Sequence, residues 1–235
     1  MERAVLFKYL LTRVGTVLSS NTIYNLQASI NYLEVGRWMH AGGYDVTHRV
    51  DCREQLFDLV GSRVAEREVL YMEFGVFQGR ATRYWSQLLR NPKTKLHGFD
   101  SFEGLPENWL LARDGFRTWV HPKGYFSTGG QVPAVEDARV QFIKGWFEQT
   151  LPNYKFPHHE VLIVILDADI YSSTIFVLNA LEDVIVPGTY LYFDEFNHRM
   201  DELRAFDEFV KRTGMEFSVV GATRSLANVM FQRKS

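Results

Sequence analysis

The chain predicts an α/β fold on a doubly wound, mostly parallel sheet, and three observations carry that expectation. Short apolar runs at 69–74, 95–99, 140–143, 160–166 and 188–193 are separated by stretches that include helical periodicity. The run at 160–166 is apolar nearly throughout, as befits a strand buried on both faces. The last two runs, 216–220 and 226–231, are joined by only Gly221, Ala222, Thr223 and Arg224 and so predict a closing antiparallel hairpin.

The elements follow in order. Val5, Leu6, Tyr9, Leu10, Val14, Val17 and Leu18 recur at helical spacing, interrupted by Lys8 and Arg13. The uncharged stretch is far shorter than the ~20 apolar residues a membrane span needs. Ser19, Ser20 and Asn21 supply a cap for a second helix through Ile23, Leu26, Ile30 and Leu33, which ends near Gly42 and Gly43. A third helix is expected over 49–65, so residues 1–65 read as a helical extension without a strand, and 66–235 as the main domain. Helices carrying Tyr84, Trp85, Leu88 and Leu89, and spanning 173–183 and 201–212, fill the gaps between strands. The segment 101–138 holds Gly104, Pro106, Gly115, Pro122, Gly124, Gly129, Gly130 and Pro133, too much punctuation for one long element, and reads as a lid loop.

Composition narrows the function. At 235 residues, 46% hydrophobic and 23% charged, the chain excludes disordered and low-complexity classes. With 26 basic and 28 acidic residues the net charge is −2, which argues against a nucleic-acid partner. Cys52 is the single cysteine, so neither a disulfide framework nor a thiolate zinc site is possible, and a reducing cytoplasm suits the chain.

In doubly wound sheets ligands bind beyond the C-terminal strand ends. There, Glu73, Gly75 and Gly79 form a strand-to-helix turn in EFGVFQGRAT (73–82) that lets backbone approach a ligand; a bare tight turn is the competing reading. Asp100 ends the next strand, where a carboxylate can accept two hydrogen bonds from a ribose diol or simply cap the turn. Asp167, Asp169, Asp194 and Glu195 end two further strands, and four carboxylates so placed must be solvated or neutralised by a cation. Oxygen-only ligands suit Mg²⁺ or Ca²⁺. His198 is a candidate base or orienting group, and His158 and His159 read as surface residues.

These blocks, with GFDSFEGLPE (98–107) and Trp109, KGWFEQTLP (144–152), LDADIYSST (166–174) and FDEF (193–196), resemble in order the macrocin O-methyltransferase family over about residues 70–209. The resemblance implies a Rossmann-like class I methyltransferase with a seven-stranded, mostly parallel sheet. It implies S-adenosylmethionine-dependent, Mg²⁺-assisted methylation of a sugar hydroxyl on a bacterial natural product or glycan. By the same matching, Glu73, Gly75, Gly79 and Thr82 belong to the methionine end of the cofactor site. Asp100 would hold the ribose with Ser101 nearby, and Gly145 and Trp146, after Ile143, would face the adenine. Asp167, Asp194 and Glu195 would be metal ligands. Asp167 also borders the cofactor and is a candidate base, with Asp169 and His198 as alternatives. The family pattern often has Asp-Asp-Tyr where this chain has Asp194, Glu195 and Phe196.

Trp109, Phe116, Trp119, Tyr125 and Phe126 offer stacking surfaces to a sugar, or pack the lid. The N-terminal helices are expected to cover the site or contact a second subunit, since family members tend to be homo-oligomers. A catechol-type O-methyltransferase and a non-catalytic cofactor-binding protein are the alternative readings.

Overall fold

The computed structural model describes residues 3–113 and 118–235. Helices α1 (Arg3–Gly15) and α2 (Ser20–Ala41) precede strand β1 (Arg49–Val50) and α3 (Arg53–Val64). The alternating portion runs β2 (Val69–Phe74), α4 (Arg80–Leu88), β3 (Lys95–Asp100), β4 (Trp109–Arg113), β5 (Thr118–His121), β6 (Val140–Lys144), α5 (Phe147–Thr150), β7 (Val161–Leu166), α6 (Tyr171–Ala180), β8 (Tyr190–Phe193), α7 (Glu202–Thr213), β9 (Phe217–Thr223) and β10 (Val229–Arg233).

The main sheet has the order β1-β9-β10-β8-β7-β2-β3-β6. Strands β6, β3, β2, β7 and β8 are parallel neighbours, and β10 runs antiparallel between β8 and β9. The chain winds outward through β2, β3 and β6, then returns to place β7 on the other side of β2. This reversal is the topological switch point, where ligands of such sheets bind.

Two corrections to the sequence expectation concern strands. Seven were expected in the main sheet, and the described residues hold eight. The addition is β1, whose Arg49 and Val50 pair in parallel with Ala222 and Thr223 of β9. Two residues are too few to show periodicity, which is why 49–65 read as helix throughout. The lid segment also contains a two-stranded sheet, β4 with β5.

Side chains alternate across β2 as the pleat requires. Leu70, Met72 and Phe74 join one core layer with Val177 and Leu178 of α6 and Phe206 and Phe209 of α7. Val69 and Tyr71 join the other, with Leu56, Phe57 and Val60 of α3 and Ala81 and Trp85 of α4. Thus β1 and α3 belong to the layers of the sheet itself. The outer extension is α1 and α2, and the buried residues of α2 lie in its C-terminal half. Val35 and Met39 are buried, and Trp38 stacks on Tyr44 at 5.0 Å while donating to Asp207. No residue of α1 is buried. Among the described residues no helix is long and apolar enough to cross a membrane.

Candidate active site

A cavity of about 530 Å³ opens at the C-terminal ends of β2, β3, β6, β7 and β8. Its size suits a small-molecule site. Of the residues singled out in the sequence, Gly75, Asp100, Ser101, Gly145, Trp146, Asp167, Asp169, Asp194, Glu195 and His198 line it. Glu73, Gly79 and Thr82 are buried and are not among the residues that line it.

The glycine turn is fixed by close packing. Gly75 adopts φ +92°, and a Cβ there would lie 1.8 Å from the Asp167 carbonyl oxygen. Asp100 secures the same turn from the neighbouring strand. Its Oδ2 accepts from the backbone N–H groups of Val76 and Phe77, both at 2.8 Å, and its Oδ1 from Phe102 N–H at 2.6 Å. An ionised carboxylate has about four lone-pair sites, and with three backbone donors in place Asp100 retains about one, enough for a single hydroxyl, while holding the turn. Gly145 N–H donates to the Asp100 carbonyl, which sets the adjacent β6 turn, with Trp146 and Phe147, along the cavity wall.

Glu73 is buried and accepts from the hydroxyls of Tyr71 and Thr82, linking β2 to α4. Burial pushes its carboxyl up to about 7, against the opposing pull of those hydrogen bonds and of Arg53.

The acidic group is assembled as expected, but it contains a cation that the sequence did not announce. Arg53, at the start of α3, places Nη1 3.3 Å from Asp167 Oδ2 and 3.1 Å from Asp194 Oδ1. Asp194 Oδ1 also accepts from the Tyr192 hydroxyl and from Asn228 Nδ2 at 3.0 Å. Burial and the neighbouring carboxylates of Asp194 and Asp169 push the Asp167 carboxyl well up, and Arg53 opposes them.

Asp169 differs from its neighbours. It has a left-handed backbone, φ +61°, uncommon outside glycine and concentrated at functional sites. Burial first, then Glu195, Asp194, Asp201 and Asp100, push its carboxyl up to about 8. His198 Nε2 lies 4.0 Å from Glu195 Oε2 and its Nδ1 3.7 Å from Asp201 Oδ2, beyond hydrogen-bonding range. His158 faces Glu68 at the surface.

A divalent ion held by Asp167, Asp194 and Glu195 would have to share the aspartate oxygens with the donors already there. Mg²⁺ demands free oxygen lone pairs in near-octahedral array. Here Asp194 Oδ1 is taken by three donors, and a guanidinium stands between the two aspartates. Among the described residues no group of three or more His, Cys, Asp or Glu side chains is placed to hold a metal ion. The arrangement does not fit the ion.

Over the cavity lies the lid. Trp109 is buried, donates from Nε1 to Asp201 Oδ2 at 3.0 Å and packs 5.4 Å from the His198 ring. His121 stacks on Tyr125 at 3.8 Å, with Phe126 edge-on to both. Trp109, His121 and Phe126 line the cavity. Phe116 and the side chain of Trp119 lie outside the described residues.

A Rossmann-like sheet with one inserted antiparallel strand, and a cavity at its switch point, defines the class I methyltransferase fold. Residues 53–222 match the model of the family described as macrocin-O-methyltransferase (TylF), and the chain belongs to that family. It is 28% identical over 138 residues to a tetracenomycin-C 4'-O-methyltransferase of Streptomyces olivaceus whose named acceptor is 8-demethyl-8-(2,3-dimethoxy-alpha-L-rhamnosyl)-tetracenomycin-C. It is 25% identical over 174 residues to the demethyldecarbamoylnovobiocin O-methyltransferase of Streptomyces niveus. Those alignments span 53% and 65% of this chain, and 52% and 63% of the relatives' own lengths. The O-methyltransferase NovP superposes with a TM-score of 0.55 at 21% identity, covering 77% of this chain and 80% of that one. The calicheamicin methyltransferase CalS11 does so with a TM-score of 0.56 at 23% identity and the same coverages.

Proposed function

We propose that the protein is an S-adenosylmethionine-dependent O-methyltransferase that methylates a hydroxyl of a sugar on a glycosylated natural product or glycan. The observation that carries this reading is the switch-point cavity, in which a glycine turn, a strand-end carboxylate and an acidic group meet under an aromatic lid. Both curated relatives named above are O-methyltransferases, and the name of one specifies a rhamnosyl-bearing acceptor.

The residues fit the cofactor. Asp100 suits its ribose, the Gly75 turn its amino-acid end, and Gly145 with Trp146 its adenine. When bound, S-adenosylmethionine supplies an electrophilic methyl group on a sulfonium. The protein must then hold the acceptor oxygen in line and take its proton, and positioning supplies much of the rate. Asp169 is the best-placed base. It faces the cavity, Arg53 is engaged with Asp167 and Asp194 instead, and a carboxyl near 8 matches a neutral operating pH. Trp109, His121 and Phe126 offer flat faces for a sugar ring. No divalent ion is part of this reading.

Two coarser expectations go with it. The exposed apolar side chains of α1 suit burial in a homo-oligomer, and the single, unpaired Cys52 suits a reducing cytoplasm. The test of the activity is calorimetry with S-adenosylmethionine, followed by assay of S-adenosylhomocysteine formation against matched panels of glycosides and catechols. Turnover on glycosides supports the reading, and turnover on catechols alone contradicts it.

A further inference from the structure

The cation within the acidic group needs an explanation. Arg53 lies in the first turn of α3, where the helix dipole disfavours a positive charge and favours an acid such as the neighbouring Glu54. Its side chain is 23% exposed and turns inward to Asp167 and Asp194, residues 114 and 141 positions away in sequence. The helix that carries it is locked to the sheet by Leu56, Phe57 and Val60, so the guanidinium is delivered from a rigid element. Helix stability does not account for that placement, whereas two facing carboxylates do.

We propose that the Arg53 guanidinium is the resident cation of this site: it takes the place of a divalent metal between Asp167 and Asp194, and methyl transfer needs no such metal. The second half rests on the methyltransferase reading, while the first is a property of the protein alone. One guanidinium supplies a single positive charge to two carboxylates. The Tyr192 hydroxyl and Asn228 amide both donate to the same Asp194 Oδ1 that Arg53 faces, so that oxygen carries three donors. Arg53 thus engages Asp167 and Asp194, while Asp169 presents its carboxyl to the cavity beside them. In this role Arg53 is a positioning residue: it fixes the two aspartates beside the acceptor without taking a proton.

The experiment is a titration of the full chain with Mn²⁺, followed by the electron paramagnetic resonance signal of free Mn²⁺. It is run on wild type, Arg53→Ala and Arg53→Met, each compared with its Asp194→Asn counterpart to isolate binding that depends on Asp194. Wild type is expected to show no Asp194-dependent site. Removing the guanidinium leaves two carboxylates facing each other, so each Arg53 variant should gain a site binding Mn²⁺ at least about tenfold more tightly than its Asp194→Asn counterpart does, given the size of the Coulomb interactions at these separations. An Asp194-dependent site in wild type overturns the proposal, as do folded Arg53 variants that gain none. If circular dichroism shows both Arg53 variants unfolded, the wild-type comparison decides alone. Turnover of any acceptor found should be unchanged by EDTA, and its loss also overturns the proposal. Because metal binding is read without substrate, failure of the methyltransferase reading is seen separately.

Discussion

Gly75 and Asp167 meet across the switch point with no room between them: a Cβ on Gly75 would stand 1.8 Å from the Asp167 carbonyl oxygen. The parallel register that pairs Phe74 with Leu166 brings the two residues together just past the strand ends. One contact therefore couples the glycine turn to the acidic group. Gly75→Ala should either lower the melting temperature or force the turn aside, because the clash is with backbone and φ +92° disfavours any side chain. Calorimetry should show S-adenosylhomocysteine affinity reduced about tenfold or more, a loss of ~1.4 kcal/mol. Wild-type affinity in this variant would remove the turn from the cofactor site.

Asp169→Asn should lower kcat by about 10²- to 10⁴-fold, the usual contribution of a general base, while leaving S-adenosylhomocysteine binding nearly unchanged. Because the carboxyl is pushed up to about 8 and only its ionised form accepts a proton, wild-type kcat/KM should rise with pH through that region. Near-normal turnover in the variant would return the role to Asp167 or His198.

Glu73 links stability to pH. Its carboxyl has an ordinary value of 4.5 in the unfolded chain and about 7 in the fold. Its contribution to stability is full below pH 4.5 and is lost as pH rises through about 7, since the unfolded chain releases a proton that the folded chain retains. The loss is on the order of 3 kcal/mol. Glu73→Gln keeps an acceptor for the Tyr71 and Thr82 hydroxyls and removes the ionisation. Thermal melts should therefore show the variant gaining on wild type between pH 5 and 8, and a constant difference over that range would contradict the assignment.

Trp109→Phe preserves most of the buried ring and deletes the hydrogen bond to Asp201 that ties the lid to the segment before α7. Hydrogen bonds to charged groups contribute about 1.5–3 kcal/mol. KM for the acceptor should rise roughly tenfold, with cofactor affinity little changed. Steady-state kinetics checks this, and an unchanged KM would detach the lid from the acceptor.

On α1, Leu6, Tyr9, Leu10, Val14 and their neighbours are about half exposed, a larger apolar face than single surface residues present. Light scattering should find wild type oligomeric and a Leu10→Glu, Val14→Glu variant monomeric. A monomeric wild type would contradict the oligomer.

The sheet was legible because its central strands are apolar runs bounded by glycine or acidic residues, and 69–74 coincides with β2. The strand-end rule likewise led to Asp100, Asp167, Asp169 and Asp194 without knowledge of the fold. What escaped depends on contacts remote in sequence. Two residues of β1 carry no pattern until Ala222 and Thr223 pair with them, and the β4–β5 pair is hidden among turn-forming residues. Arg53 looks like an ordinary helix-surface charge, and only the fold brings it to the aspartates. The aromatic lid residues were visible, but the tie from Trp109 to Asp201 was not.

The central claim, methyl transfer to a sugar oxygen, is tested most directly with S-adenosylmethionine carrying a ¹³C-labelled methyl group, the full-length protein and a panel of deoxysugar glycosides. Two-dimensional NMR of the product should show one new O-methyl resonance correlated with a single sugar carbon, absent with Asp169→Asn. Tight cofactor binding with no label transferred to any glycoside would contradict it.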